Sequence, residues 1–275
     1  MDNVWSRSQK APRQTLTLER IVAEAVALLD EEGVGRLTMR RLAERLDTGS
    51  TTLYWHVKTK DDVLDLAMDE VFGEVRLDDL VELVERVGLA VRGDPAGGLP
   101  GRDAGGAAAG GGDPARSGDP AGGGGPAGGG DPAGGGGPAG GGGPRTGGDW
   151  RAPVRGLMRR WRAALLRHPW SATLLDRPLM GPNALRRTEF LYETLTAAGF
   201  AAPKPAAYSL SNYVMGSVIM QVTWDRGGDT DTSAFLRERA DRYPALAEHG
   251  LEHDWDATFD EGLGYLLEGM ARSRA

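Results

Sequence analysis

The stretch TMRRLAERLDTGSTTLYWHVKTK, from Thr38 to Lys60, decides how the chain reads. Thr38 suits a helix N-cap, because its hydroxyl can accept from a free N–H of the first turn. Behind it Met39, Leu42, Ala43 and Leu46 recur at i, i+3, i+4 and i+7, which makes one apolar stripe of a short helix. Arg40, Arg41, Glu44 and Arg45 face outward. Asp47-Thr48-Gly49 is turn chemistry, and Gly49 is expected to supply a positive φ there. Ser50 then caps a second helix of barely two turns that runs through Val57. Its inward residues are Leu53 and Val57, leaving Thr51, Thr52, Tyr54, Trp55 and His56 on an open face. Thr59-Lys60-Asp61-Asp62 resembles a capping box. It starts a further helix with Val63, Leu64, Ala67, Met68, Val71 and Phe72 as its buried stripe.

The chain on either side of this stretch is helical in pattern. Residues 1–16 are polar and aperiodic and read as a flexible arm. Thr17 caps a helix to about Glu32, with Leu18, Ile21, Val22, Ala25, Leu28 and Leu29 on one face and Gly33 ending it. Residues 17–75 therefore form a head of packed helices. Residues 76–92 hold an extra amphipathic helix, Leu77 to Val91. From Gly93 to Gly148 there are 27 glycines and 8 prolines, and Pro114, Pro120, Pro126, Pro132, Pro138 and Pro144 stand six residues apart. Such a repeat has almost nothing to bury and is expected to be a disordered linker.

Residues 149–275 return to helical periodicity. Helices are expected over Trp150–Arg167, broken by Pro169-Trp170, then over Asn183–Ala198 up to Gly199. Ala206–Trp224 is apolar nearly all round, as a helix buried on more than one side must be. Ser233–Tyr243 and Thr258–Ala271 complete the chain. No strand pattern occurs, so the fold is expected to be all-α.

Composition bounds the chemistry. The 275 residues contain no cysteine, which excludes disulfides, thiolate metal sites and a cysteine nucleophile. No apolar run has signal-peptide or membrane-spanning character, so a soluble cytoplasmic protein is expected. The net charge is −7, but it is divided unevenly. Residues 1–60 carry 10 Lys and Arg against 8 Asp and Glu, a net +2, and the rest carry 22 against 31, a net −9. That asymmetry fits a head that meets phosphate on an acidic body. No Ser/His/Asp arrangement, phosphate loop or metal cluster supports an enzyme. His249 and His253 could share a helix face at i, i+4, but a third ligand is lacking. His168, in R-H-P-W near a helix end, reads as a capping or surface residue.

The open face of the second short helix can be read in two ways. Tyr54 and Trp55 could pack against neighbouring helices. Alternatively, the hydroxyls meet base edges or phosphates, the rings meet thymine methyls or sugars, and Lys58 and Lys60 meet the backbone of a DNA duplex.

A resemblance bears on the choice. T-L-Y-W-H-V-K-T-K followed by D-D-V-L-D-L-A, with L-T-M-R-R-L-A upstream, closely resembles the tetracycline-repressor (TetR) family. W-R-A-A-L-L-R-H-P-W and G-P-N-A-L-R-R-T-E resemble the regulatory domain of the tetracycline-repressor subgroup. The resemblance implies a helix-turn-helix DNA-binding head on an α-helical ligand-binding and dimerisation domain. It implies a homodimer on a double-stranded DNA operator, released by a small-molecule effector, with no membrane partner. DNA contacts carried over are Thr38, Arg40, Ser50, Thr51, Thr52, Tyr54, Trp55, His56 and Lys60, with Arg40 the guanine reader. Ser50 and Thr51 stand where tetracycline repressors typically carry Gln-Pro, so a different operator is implied. Dimerisation would use Ala206–Trp224 and Thr258–Ala271. Trp161, Trp170, Tyr208, Asn212, Met215 and Gln221 are candidate pocket lining. The subgroup's metal-binding histidine has no matching context here, and no cofactor or metal is expected. The remaining alternative is a constitutive DNA-binding or architectural protein without a working pocket.

Overall fold

The computed structural model describes residues 16–89, 149–227 and 232–272. The expected insert at 93–148 and residues 1–15 of the expected arm lie outside these. The described residues are helical, with no strand among them: α1 Leu18–Glu32, α2 Met39–Arg45, α3 Ser50–His56, α4 Lys60–Gly73, α5 Asp78–Arg86, α6 Arg151–Arg167, a 3₁₀ turn Pro169–Leu174, α7 Pro182–Ala197, α8 Pro203–Arg226, α9 Thr232–Arg237, α10 Pro244–His249 and α11 Trp255–Arg272. The all-α reading holds.

The head is built from its caps inward. Thr17 accepts from Arg20 N at 3.2 Å, and Thr38 accepts from Arg41 N at 3.2 Å. α4 carries a complete capping box: Thr59 Oγ1 accepts from Asp62 N at 3.0 Å, and Asp62 Oδ2 accepts from Thr59 N at 3.0 Å. Asp62 also accepts from Lys58 N at 2.9 Å. These backbone donors, Lys58 first, hold the Asp62 carboxyl below the ordinary range. The six-residue stripe of α4 is buried as its spacing requires.

One turn differs from the sequence expectation. Gly49 has φ −81 and precedes α3 as its N-cap, with Ser50 already inside the helix. The positive φ belongs to Asp47, at +49. Thr48 N donates to Ala43 O at 3.0 Å and Asp47 N to Glu44 O at 3.2 Å. That is a Schellman closure of α2 with aspartate in the left-handed position, which short polar side chains tolerate.

α4 ties the head to the rest. At the start of α7 the backbone N–H groups of Asn183 and Ala184 have no helical acceptor. The Asp69 carboxylate of α4 accepts from both, each at 3.0 Å. The approach is close enough that a Cβ at Gly181 would stand 2.2 Å from Asp69 Oδ1. Glu74 beyond the end of α4 pairs with Arg167, and Arg177 donates to Asp61 at 2.7 Å.

α5 is shorter than expected because Gly88, at φ +73, closes it. Arg160 of α6 pairs with Asp79 and Arg76 O, and Gly156 faces Leu80. Rising numbers in α6 thus meet falling numbers in α5, so the helices run antiparallel, and the end of α5 lies near the start of α6. α8 begins three residues before the expected Ala206. Pro203 and Pro205 sit in its first turn, where no N–H is needed. The helix expected over Ser233–Tyr243 stops at Arg237, and Pro244 opens a separate one. Gly250, at φ +71, then ends α10 directly after His249. His249 and His253 therefore share no helix. α11 starts at Trp255, earlier than Thr258, because Asp254 Oδ1 accepts from Asp256 N and Ala257 N, each at 2.9 Å.

Candidate nucleic-acid interface

α3 buries Leu53, and Val57 closes under it, so the opposite side of two turns faces solvent. Thr51, Thr52, Tyr54, Trp55 and His56 are all exposed there, and Ser50 is half-buried at the helix start. Trp55 is 78% exposed. An indole left that open exposes apolar surface to water without any internal return. The packed alternative for Trp55 is thereby set aside.

The cations around this face are sorted by their partners. Arg41 and Arg45 of α2 turn inward to the carboxylates of α1, Arg41 to Glu32 and Arg45 to Glu24 and Glu31. They brace the head. Among the described residues Arg40 is engaged only with Glu44 one turn along, at 2.9 Å, in an exposed pair of the kind worth little in water. Its guanidinium can exchange that partner for a base edge or a phosphate. Lys58 Nζ donates to Tyr54 O at 2.9 Å, and Lys60 Nζ donates to Val34 O at 2.8 Å. The Lys60 ammonium thus locks the α1–α2 connection to α4. Thr38 is exposed at the start of α2.

None of the six residues expected to line a pocket is on the lining of the cavity between α4 and the Leu174–Ala184 connection. Trp161 and Trp170 are buried, and Trp170 Nε1 donates to Asp30 at 2.7 Å. Gln221 accepts from the buried Arg162, and Met215 is half-buried. Tyr208 and Asn212 are exposed on α8, in line with the exposed Ile219 and Met220. That cavity, of about 280 Å³, is lined mainly by Leu66, Met68, Phe72, Leu174 and Leu179.

Two residues were misjudged or missed in the sequence. His168 is at the C-cap of α6 as expected, but its ring is 8% exposed rather than on the surface. Nδ1 lies 2.8 Å from Asp30 of α1 and Nε2 lies 2.9 Å from Glu74. Burial pushes the Glu74 carboxyl up, and Arg167 and His168 more than offset it, holding it below the ordinary range. Arg187 of α7 was passed over, though a signal existed: it stands three residues after Ala184 and four before Leu191, on the buried stripe of its helix. No cluster of metal-ligating side chains occurs among the described residues, and no described helix is long and apolar enough to cross a membrane.

Comparisons with known proteins bear on both halves. Residues 21–67 match the model of bacterial regulatory proteins of the tetR family, and residues 143–274 match that of the tetracyclin repressor-like C-terminal domain. An HTH-type transcriptional regulator of Saccharopolyspora erythraea is 39% identical over 98% of this chain and 91% of its own length. The HTH-type transcriptional repressor DrrR1 of Streptomyces coeruleorubidus is 26% identical over 96% of this chain and 80% of its own. The crystal structure of a possible TetR family transcriptional regulator from Streptomyces coelicolor A3(2) superposes with a TM-score of 0.60 at 27% identity, covering 93% of this chain and 99% of that one. Head, core and relatives agree: the chain belongs to the TetR family and is a helix-turn-helix, DNA-binding transcriptional regulator.

Proposed function

We propose that the protein is a homodimeric repressor that a small-molecule effector releases from a palindromic operator. The exposed face of α3, above all the open Trp55, carries the DNA part of this reading. α3 enters the major groove, with Arg40 of α2 reading guanine and Thr38, Ser50, Thr51, Thr52, Tyr54 and His56 in contact with the duplex. Lys60 acts from behind, by holding the head in shape. Repression is favoured by DrrR1, which is named a repressor.

The dimer part rests on α8. Tyr208, Asn212, Gly216, Ile219, Met220 and Thr223 recur at three- and four-residue spacing and are all exposed, although α8 is also buried along Leu210, Val214, Val218 and Val222. Tyr265 of α11 adds to the open apolar surface. A two-fold pairing of this face buries it and sets two heads on one DNA. The effector part rests on the cavity between α4 and the connection before α7, since α4 leads directly from the head. That none of the six pocket residues lines this cavity favours a second reading, a constitutive DNA-binding regulator.

A salt-controlled mobility-shift series on the DNA upstream of the gene tests the first reading. Arg40→Ala and Tyr54→Ala weaken binding there by about tenfold or more each. Unchanged binding in both variants counts against the assignment of α2–α3.

A further inference from the structure

Two arginines are buried in the helical core, and their surroundings differ. Arg162 of α6 donates to Ser217 at 3.1 Å, to Asp256 at 2.5 Å and to Gln221. It is fully engaged. Arg187, 6% exposed, has one hydrogen bond, from Nη2 to Thr188 Oγ1 at 3.2 Å. Its Nε and Nη1 are buried without an acceptor among the described residues. The guanidinium lies 3.6 Å from the ring centroid of Trp161 and 5.2 Å from that of Phe72. Trp161 Nε1 is likewise buried without an acceptor. Aromatic faces compensate part of the charge, but they leave the in-plane N–H donors unmet.

Burial pushes Arg187 down to about 9, and no carboxylate among the described residues counters it. For packing, a methionine would fill the space without that desolvation. Three orphaned donors beside two aromatic rings amount to a receptor lacking its acceptor. We infer that Arg187 is the anion anchor of the effector site, and that the effector is a flat aromatic compound bearing a carboxylate or similarly acidic oxygen. The carboxylate accepts from Arg187 Nε and Nη1, and the aromatic body lies along Phe72 in the apolar cavity. This rests on the effector-released reading above.

An approach exists. Phe72, which carries Arg187 on its ring, also lines the 280 Å³ cavity, as does Ala184, one turn before Arg187 on α7. The anchor therefore stands one side-chain layer behind an open, mainly apolar space. The two carboxylates on the lining do not oppose an anion freely. Asp69 is engaged by the α7 amides, and Asp65 faces Arg177 at 3.5 Å.

Calorimetric titration of the full-length protein with 2-naphthoate and with the uncharged 2-naphthamide tests the anchor. The wild type binds naphthoate about tenfold or more tightly than the amide, the scale of a charge-assisted buried pair. Arg187→Met abolishes that preference by weakening naphthoate far more than naphthamide, and melts at or above the wild-type temperature. Arg187→Lys retains part of the preference. Equal affinity for the two probes, no binding of either, or an undiminished preference in Arg187→Met overturns the anchor. Duplex binding without probe is measured on the same samples by anisotropy. Its absence in the wild type overturns the regulator reading instead, so the two failures are told apart.

Discussion

At the level of single residues, Asp47 shows where local rules run close. The turn Asp47-Thr48-Gly49 offers glycine for a positive φ, yet the chain places aspartate at +49 and uses Gly49 as an extended N-cap. The reason is position. The left-handed residue must immediately follow the last helical carbonyls of α2, and Asp47 is the residue there. Asp47→Val is expected to cost about 1–2 kcal/mol in chemical denaturation, because a β-branched side chain meets the following carbonyl in that conformation. The same scale accounts for what could be read in the reading head: capping hydroxyls and helical spacing are local signals, so Thr17, Thr38, Thr59 and the outward set on α3 were all legible. Arg187 and His168 were not, since their roles depend on neighbours about 25 to 140 positions away in the chain.

Among elements, α4 makes most of the ties between the two halves, through side chains, and Asp30 of α1 adds bonds to His168 and Trp170. Asp69 caps α7, and Gly181 permits the approach. Gly181→Ala is expected to destabilise the fold by about 1–3 kcal/mol by forcing α7 off that carboxylate, measured as a loss of denaturation midpoint at unchanged slope. Glu74 at the far end of α4 makes a pH-dependent tie. Its carboxyl is held below the ordinary range in the folded state. Its stabilising contribution is therefore present above the ordinary glutamate pKa and is lost as pH falls toward the folded value. Glu74→Gln should flatten the acid side of the stability profile across that window. A profile as steep as wild type in this variant argues against Glu74 as the tie. Helix existence was legible here, but some boundaries slipped: Pro203 started α8 early, Gly88 closed α5 early, and the helix expected over Ser233–Tyr243 stops at Arg237, before Pro244 opens α10.

For the whole molecule, the antiparallel register of α5 on α6 brings the end of one near the start of the other. Deleting Gly93–Gly148 is accordingly expected to leave melting temperature and duplex affinity within error of wild type. Assembly is the level the sequence indicated only as an all-round apolar α8; the structure separates its buried stripe from its open one. Met220→Glu on the open stripe should yield monomers in sedimentation velocity and weaken duplex binding together, since two half-sites are then no longer held at once. The central claim is that α2 and α3 form a DNA-reading head presented twice by a two-fold dimer. Selection of bound duplexes from a random-sequence library tests it most directly. The expected product is an inverted repeat with half-site centres one helical turn, about 10 base pairs, or a multiple apart, with the guanine position relaxed in Arg40→Ala. A single asymmetric site, or a repeat that Arg40→Ala and Tyr54→Ala leave unaltered, would contradict it.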